Sequence, residues 1–255
     1  MKYLLLMYGD ENAWTPEERK DCMVESLKVC DDLATQDKFI ATAPLQPAAT
    51  AATVRVRDGQ TLVTAGPFAE TTEHLGGYFV VDLADLDEAI SVASRLPSVR
   101  KGAAEIRPLL ALDGAAAPRP FSVGTDDPKG RPYMLLCYHD EAAWQVVDPA
   151  VRQAAMSEAV ALTHELSAAG QFLNASPLHP AATATCVRVR DGKREITDGP
   201  FTETTEVLGG FYLILAASPD DALRVAARHS GARFGSVEVR PLFDFSEFHK
   251  TASIS

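Results

Sequence analysis

The chain has 255 residues, of which 46% are hydrophobic and 23% are charged, a composition typical of globular proteins and not of disordered or collagen-like chains. Its formal net charge of −11 and the lack of any Lys/Arg cluster argue against nucleic acid as a partner. No window reaches the roughly 18–20 apolar residues of a membrane helix, and the apolar run at the N-terminus is short for a signal peptide. We therefore expect a cytoplasmic protein that does not bind membranes.

An internal repeat organises the chain, because residues 39–109 align without a gap with residues 172–242. Val54–Gly59 and Val187–Gly192 both read Val-Arg-Val-Arg-Asp-Gly, and Gly66–Phe68 recurs as Gly199–Phe201. A period of more than 100 residues indicates duplicated domains and not a solenoid. The predicted boundaries are the first repeat at 1–113, a linker rich in Pro, Gly and Ala at 114–130, the second repeat at 131–245 and a tail at 246–255.

Each repeat is predicted to fold as β-α-β-hairpin-β-α-β. In the first repeat, strand Tyr3–Tyr8 precedes a helix that Thr15 caps, with Pro16 at its first position. A second strand follows at 38–43, and the strands 53–57 and 61–64 form a hairpin around Asp58-Gly59. The next strand is predicted at 77–82, the second helix at 85–97 and the last strand at 104–108. In the second repeat, the corresponding strands are predicted at 133–138, 171–175, 210–216 and 237–241. Its two helices are predicted to start at residues 148 and 218.

This order of elements predicts an α+β fold. Each repeat is expected to form a four-stranded antiparallel sheet with both helices on one face, which is the ferredoxin-like arrangement with an inserted hairpin. The apolar runs Leu4–Met7 and Tyr212–Leu215 do not alternate with polar residues, which indicates sheets covered on both faces. We therefore expect the two sheets to pack together within the chain as a sandwich or barrel, with an apolar pocket between or beside them.

The segment Thr197–Gly210 resembles the motif of the YCII-related, or DGPF-motif, proteins, and the opening Lys2–Glu11 is also typical of them. The resemblance covers both repeats and implies ferredoxin-like domains that pair as a dimeric α/β-barrel, here within one chain. The molecular function of this family is largely unassigned. Members encoded beside alternative sigma factors suggest regulation, and relatives in the wider superfamily are lyase- or isomerase-type enzymes acting on aromatic-derived compounds.

The chain departs from the patterns that this resemblance implies. The first repeat has Ala65 where the motif has aspartate. The wider superfamily has a proposed His–Asp dyad, and a rough alignment places its positions at Ser26, Ala159, Leu96 and His229. Neither repeat keeps the dyad, so its catalytic role is not carried over.

Three acidic residues of the second repeat are candidate site residues. Asp198 precedes Gly-Pro, where its carboxylate either caps the turn or serves as an acid/base group at a pocket mouth. Glu203 and Glu206 precede a strand and are either solvated loop acids or ligand contacts. No third ligand lies near this acidic pair in the sequence, so no metal site is predicted.

Arginine and tyrosine residues are further candidates for ligand binding. Arg55 and Arg57 alternate with valine on one hairpin, as do Arg188 and Arg190 on the other. The two arginines of each pair therefore share one face of a strand. This pattern fits a solvent-exposed face, a clamp for an anion or a salt bridge to the acids of the motif. Tyr8 and Tyr138 end the first strands of the two repeats and either border the core or line a pocket.

Other chemistries have weak support in the sequence. The cysteines Cys22, Cys30, Cys137 and Cys186 lack Cys-x-x-Cys spacing, which favours buried reduced thiols. The histidines lack metal-ligand spacing, and no phosphate-binding loop, hydrolase elbow or Cys/His nucleophile pair is evident. The sequence therefore predicts neither a cofactor nor a metal.

Two functions remain open at this point. The first is a small-ligand-binding or regulatory module, which acts as a monomeric internal pseudo-dimer or a weak homodimer. The family resemblance implies a link of this module to an alternative sigma factor. The alternative is a cofactor-independent lyase or isomerase for a small aromatic-derived or acidic compound. In that enzyme Asp198 would be the base, Arg188 or Arg190 would hold the anion, and Tyr138 would donate a hydrogen bond.

Overall fold

The computed structural model describes residues 1–68, 72–119, 130–202 and 204–243, so the predicted tail and most of the predicted linker lie outside the described residues. The elements of the first repeat are β1 (Lys2–Gly9), α1 (Pro16–Ala34), β2 (Phe39–Pro44), β3 (Ala52–Arg57), β4 (Gln60–Ala65), β5 (His74–Asp82), α2 (Leu86–Arg95) and β6 (Ala103–Pro108). Those of the second repeat are β7 (Arg131–His139), α3 (Glu141–Val146), α4 (Pro149–Ala168), β8 (Phe172–Pro177), β9 (Thr185–Arg190), β10 (Lys193–Asp198), β11 (Val207–Ala216), α5 (Pro219–Arg228), α6 (Gly231–Phe234) and β12 (Gly235–Pro241). The short helices α3 and α6 were not among the predicted elements.

The helix starts and hairpin turns follow from local chemistry. Thr15 and Glu18 form a capping box at the start of α1, and the carboxylate of Asp148 accepts backbone N–H bonds at the start of α4. In the first hairpin, Asp58 and Gly59 have φ values of 51° and 73°, and the second hairpin repeats this geometry. Two successive positive φ angles form the tight turn that matches the twist of antiparallel strands.

The chain forms two compact units, and the first unit contains a six-stranded antiparallel sheet. Its strand order is β10-β9-β6-β1-β5-β2, and α1 and α2 belong to the same unit. The four strands of the first repeat follow the order of a ferredoxin-like fold, which confirms the predicted fold class. Leu4, Leu5 and Leu6 are consecutive and fully buried, so both faces of β1 are covered, as their apolar run predicted.

The second unit has a sheet of the same kind, with the strand order β4-β3-β12-β7-β11-β8 and helices α3 to α6. Part of the predicted linker is an ordered part of this unit. Within the linker, the Arg119 N–H donates to the carbonyl of Leu173, and just before it the Leu110 N–H donates to that of Pro177. These bonds place residues 110–119 beside the edge strand β8.

The hairpin of each repeat belongs to the sheet that the other repeat builds. Strand β3 pairs with β12 in the second unit, with Val54 opposite Val237. Strand β9 pairs with β6 in the first unit, with Val187 opposite Ala104. The sequence predicted both hairpins but not this exchange.

A bulge interrupts the pairing of the central strands in each unit. The register shifts at Gly76 between β1 and β5, and at Gly209 between β7 and β11. A Cβ atom on Gly209 would lie 2.1 Å from the ring of His139, so that ring needs a glycine beside it.

Candidate functional site

An arginine and two aromatic rings meet in the first unit. Tyr8 ends β1 and stacks on Phe201 of the Gly-Pro-Phe motif, with ring centroids 4.5 Å apart and an interplanar angle of 8°. The guanidinium carbon of Arg188 lies 5.4 Å from the centroid of the Phe201 ring. Glu73 approaches that guanidinium to 3.9 Å. We call Tyr8, Phe201, Arg188 and Glu73 the first cluster.

The second unit repeats this arrangement with the roles of the repeats reversed. Tyr138 ends β7 and stacks on Phe68, with centroids 4.3 Å apart and an interplanar angle of 15°. The guanidinium carbon of Arg55 lies 5.9 Å from the Phe68 centroid. With Glu206, which occupies the position of Glu73, these residues form the second cluster.

A buried ion pair anchors the phenylalanine of each cluster. In the first unit, Glu105 binds Arg107 at 3.1 Å, and its other carboxylate oxygen accepts the Phe201 N–H at 2.9 Å. In the second unit, Glu238 pairs with Arg240 at 3.2 Å and accepts the Phe68 N–H at 2.8 Å. All four charged side chains are at most 4% exposed. A charged acceptor in a dry environment fixes the motif loop firmly against the sheet.

The two clusters differ in what holds their glutamate. Ser236 of β12 donates its hydroxyl to Glu206 at 3.1 Å in the second unit. The corresponding position in the first unit is Ala103, which has no hydroxyl, and there Glu73 lies toward Arg188. No carboxylate of the described residues lies within ion-pair distance of Arg55. The second cluster therefore presents the less neutralised cation.

The structure separates the two arginines of each hairpin. Arg188 and Arg55 belong to the clusters, whereas Arg190 donates to the carbonyls of Val99, Arg100 and Gly102. Arg57 makes the corresponding bonds to carbonyls around α6. The Arg190 guanidinium is occupied by backbone carbonyl groups and fixes its hairpin to the rest of the unit. The structure therefore does not bring Arg190 into the cluster as an anion holder.

The predicted acids also have different surroundings. Asp198 is exposed at the end of the edge strand β10, opposite Thr185, and Ala65 holds the same place at the end of β4. Glu206 lies in the second cluster, whereas Glu203 falls outside the described residues. The burial that an aspartate needs to become a base near neutral pH is not found at Asp198.

A buried cysteine and histidine meet in the second unit, although the sequence showed no such pair. Cys137 Sγ lies 3.7 Å from Nδ1 of His229, and this nitrogen accepts the Gly231 N–H. Burial lowers the pKa of His229 to about 4 and raises the pKa of Cys137 to about 12. Both groups are therefore neutral near pH 7, which makes them packing partners and not an activated nucleophile.

No group of three metal-binding side chains is found among the described residues. In the same part of the chain, all four cysteines are free, and no helix has the length and hydropathy needed to cross a membrane. The clusters offer guanidinium cations and aromatic faces. An arginine over an aromatic ring keeps N–H donors for a carboxylate or phosphate while the ring binds apolar carbon.

A model of the YCII-related domain matches residues 1–113 and 132–246. The chain belongs to the YCII-related family. The two matches confirm the tandem duplication. An uncharacterized protein of Rhizobium meliloti (strain 1021) is 40% identical over 114 residues, which cover 43% of this chain and 92% of that protein.

Two solved structures resemble the chain over nearly its whole length, but with much lower sequence identity. A heme-binding protein from Thermus thermophilus is 9% identical, with a TM-score of 0.46 and coverage of 99% of this chain and 94% of that one. A mutant chlorite dismutase from Candidatus Nitrospira defluvii is 9% identical, with a TM-score of 0.44 and coverage of 98% of this chain and 94% of that one. Similarities of this size do not transfer a ligand from those proteins to this YCII-related chain.

Several residues of the clusters and of the ion pairs that anchor them were not among the predicted site residues: Phe68, Phe201, Glu73, Glu105, Arg107, Glu238 and Arg240. The recurrence of their motifs in both repeats could have indicated these residues. Gly-Pro-Phe occurs in both halves, and Glu-x-Arg-Pro occurs in both β6 and β12. Charged residues two apart in otherwise buried strands indicate a paired function on one face of a sheet.

Proposed function

We propose that this YCII-related protein is a small-ligand-binding module that holds a small organic anion at its arginine–aromatic clusters. One observation carries the proposal: each unit places a half-buried arginine over the phenylalanine of its motif loop, beside a stacked tyrosine. The buried Glu–Arg pair fixes the motif loop before any ligand binds, so the loop loses little conformational entropy on binding. A regulatory role in the cytoplasm, by a single chain or a weak homodimer, would depend on the same binding event.

The chemistry of the cluster indicates the class of ligand. The guanidinium favours a carboxylate or phosphate, and the aromatic faces favour a planar apolar body. The enzyme hypothesis has less support, because Asp198 is exposed and lies in solvent at the end of β10. A role for Asp198 as a base stays a prediction.

Calorimetric titration with benzoate, and with benzamide as its neutral analogue, tests the proposal. We expect benzoate to bind, to bind more weakly as salt increases, and to bind at least about tenfold more tightly than benzamide, because hydrogen bonds to a charged group contribute about 1.5–3 kcal/mol. The double variant Arg55→Gln/Arg188→Gln should lose that preference. Arg224→Gln is the matched control, since this arginine is 68% exposed and far from both motif loops in sequence. Equal affinity for benzoate and benzamide, or full benzoate binding by the double variant, would rule the proposal out.

A further inference from the structure

The outer hairpin strands of the two sheets hold the same place in the fold but carry different side chains. Strand β4 ends the sheet of the second unit, and β10 ends that of the first. Every residue of both strands is exposed. Strand β4 reads Gln-Thr-Leu-Val-Thr-Ala and has no charged residue, whereas β10 reads Lys-Arg-Glu-Ile-Thr-Asp and has four. Charged side chains on an edge strand hinder its pairing with another chain, so β10 has a protection that β4 lacks.

The backbone of β4 presents a regular row of hydrogen-bonding groups at this edge. The Gly66 N–H donates to the carbonyl of Ala51, and hydrogen-bonded pairs alternate from there along β3 and β4. Three residues of β4 therefore direct their N–H and C=O groups away from β3: Thr61, Val63 and Ala65. Among the described residues, no strand lies beyond β4. The outward groups have the spacing that one more antiparallel strand requires.

The β4 edge is complementary to the same edge of a second copy. When two β4 strands pair antiparallel about Val63, each Val63 lies opposite its counterpart, and Thr61 lies opposite Ala65 of the second copy. The outward N–H and C=O groups then face each other across a twofold axis. Uncharged residues meet uncharged residues along the whole pair, which removes local repulsion between two chains of net charge −11. The antiparallel direction also keeps the two Asp58 carboxylates at opposite ends.

We infer that β4 is the docking edge for a second copy of this chain, which joins two molecules through one antiparallel strand pair. The β10 edge does not take this role, because its charged side chains protect it. A strand of six residues buries much less than the roughly 1,200 Å² of a standard interface, so the association is weak and increases with concentration. Strand β4 contributes no side chain to either cluster, so the inference does not rest on ligand binding.

Sedimentation velocity of the full-length protein, from micromolar to millimolar concentration, tests this inference. We expect the mass to rise from that of one chain toward that of two. Val63→Lys should weaken the association by about tenfold, because two ammonium groups would meet at the centre of the strand pair. Ile196→Lys is the matched control, since Ile196 is the equivalent residue of β10 and both side chains are 51% exposed. A single-chain mass at every concentration would overturn the inference and leave the edge to a strand of another protein. Equal weakening by both variants, or by neither, would overturn it as well.

A disulfide test locates the contact without adding charge. In a Cys22→Ser/Cys186→Ser background, which removes the two partly exposed cysteines, Val63→Cys places two thiols opposite each other across the twofold axis. Facing Cα atoms of a hydrogen-bonded pair are about 5.5 Å apart, within the range of a disulfide. Mild oxidation should link two chains through Val63→Cys but not through Ile196→Cys. Equal yields from both variants, or no link through Val63→Cys, would contradict the inference. Benzoate plays no part in either experiment, so a failure of the proposed function leaves these results unchanged.

Discussion

The first and second clusters are built alike but differ in the charge that their arginines present. Both stack a tyrosine on the motif phenylalanine, and both anchor that phenylalanine through a buried glutamate. In the second cluster, Ser236 holds Glu206, whereas in the first cluster Ala103 leaves Glu73 near Arg188. The two clusters therefore differ in how closely a carboxylate of the described residues approaches the arginine.

The largest expected effect tests what the clusters share. Glu105→Ala and Glu238→Ala should each lower the free energy of unfolding by about 3–5 kcal/mol, because each leaves a buried arginine without its carboxylate. Urea denaturation measures this loss. Glu158→Ala is the control, since its ion pair with Arg233 is half exposed and should contribute at most about 1 kcal/mol. If Glu238→Ala costs no more than the control, the buried pair does not anchor the loop.

Acid sensitivity should distinguish the second unit from the first. Burial among Cys137 and Tyr212, with Arg233 nearby, lowers the pKa of His229 to about 4, whereas an unfolded histidine has a pKa of about 6.5. Between these values the unfolded chain binds the proton and the folded chain does not, so the free energy of unfolding falls as pH decreases from about 6.5 to 4. The expected loss is on the order of 3 kcal/mol.

Urea denaturation across this pH range checks the expectation. His229→Leu introduces the residue found at the equivalent position of the first repeat, Leu96, and should flatten the pH dependence. Parallel pH profiles for the variant and the unaltered protein would show that His229 does not cause the loss.

The difference between the glutamates is tested by exchanging the two residues that cause it. Ser236→Ala should release Glu206 toward Arg55 and weaken benzoate binding at the second cluster, while Ala103→Ser should strengthen it at the first. We expect changes of about two- to fivefold, the size of a partly exposed ion pair. Titrations in the Arg188→Gln and Arg55→Gln backgrounds, respectively, isolate each cluster. Changes of the same sign in both variants would contradict the assignment.

The smallest expected effect concerns the motif aspartate. Because Asp198 is exposed on β10, Asp198→Ala should change benzoate affinity by less than about twofold. Ala65→Asp, at the equivalent position of β4, should have an equally small effect. The same titration measures both. A large loss confined to Asp198→Ala would favour a direct role for this carboxylate.

The elements could be predicted because their signals are local. Capping residues, Asp-Gly turns and the repeat itself mark the helices, hairpins and duplication in the sequence. Most strands of the structure extend the predicted ones by one to three residues, whereas β2 and β8 begin one residue later than predicted. The exchange could not be predicted, since the two hairpins contain the same Val-Arg-Val-Arg-Asp-Gly sequence and both acceptor strands contain Glu-x-Arg-Pro. The different roles of Arg188 and Arg190 could not be predicted either. A period of two places both arginines on one face of the strand, but it does not show that carbonyl groups distant in sequence bind Arg190 alone.

The hairpin exchange has a consequence for how this gene can change. After most duplications one copy is free to decay while the other keeps the original task. Here a substitution in the first hairpin alters the second unit, and one in the second hairpin alters the first, so damage to either copy reaches both units. The duplicated halves are therefore inherited as a matched set, and the loss of the motif aspartate at Ala65 indicates a position where that joint constraint is weak.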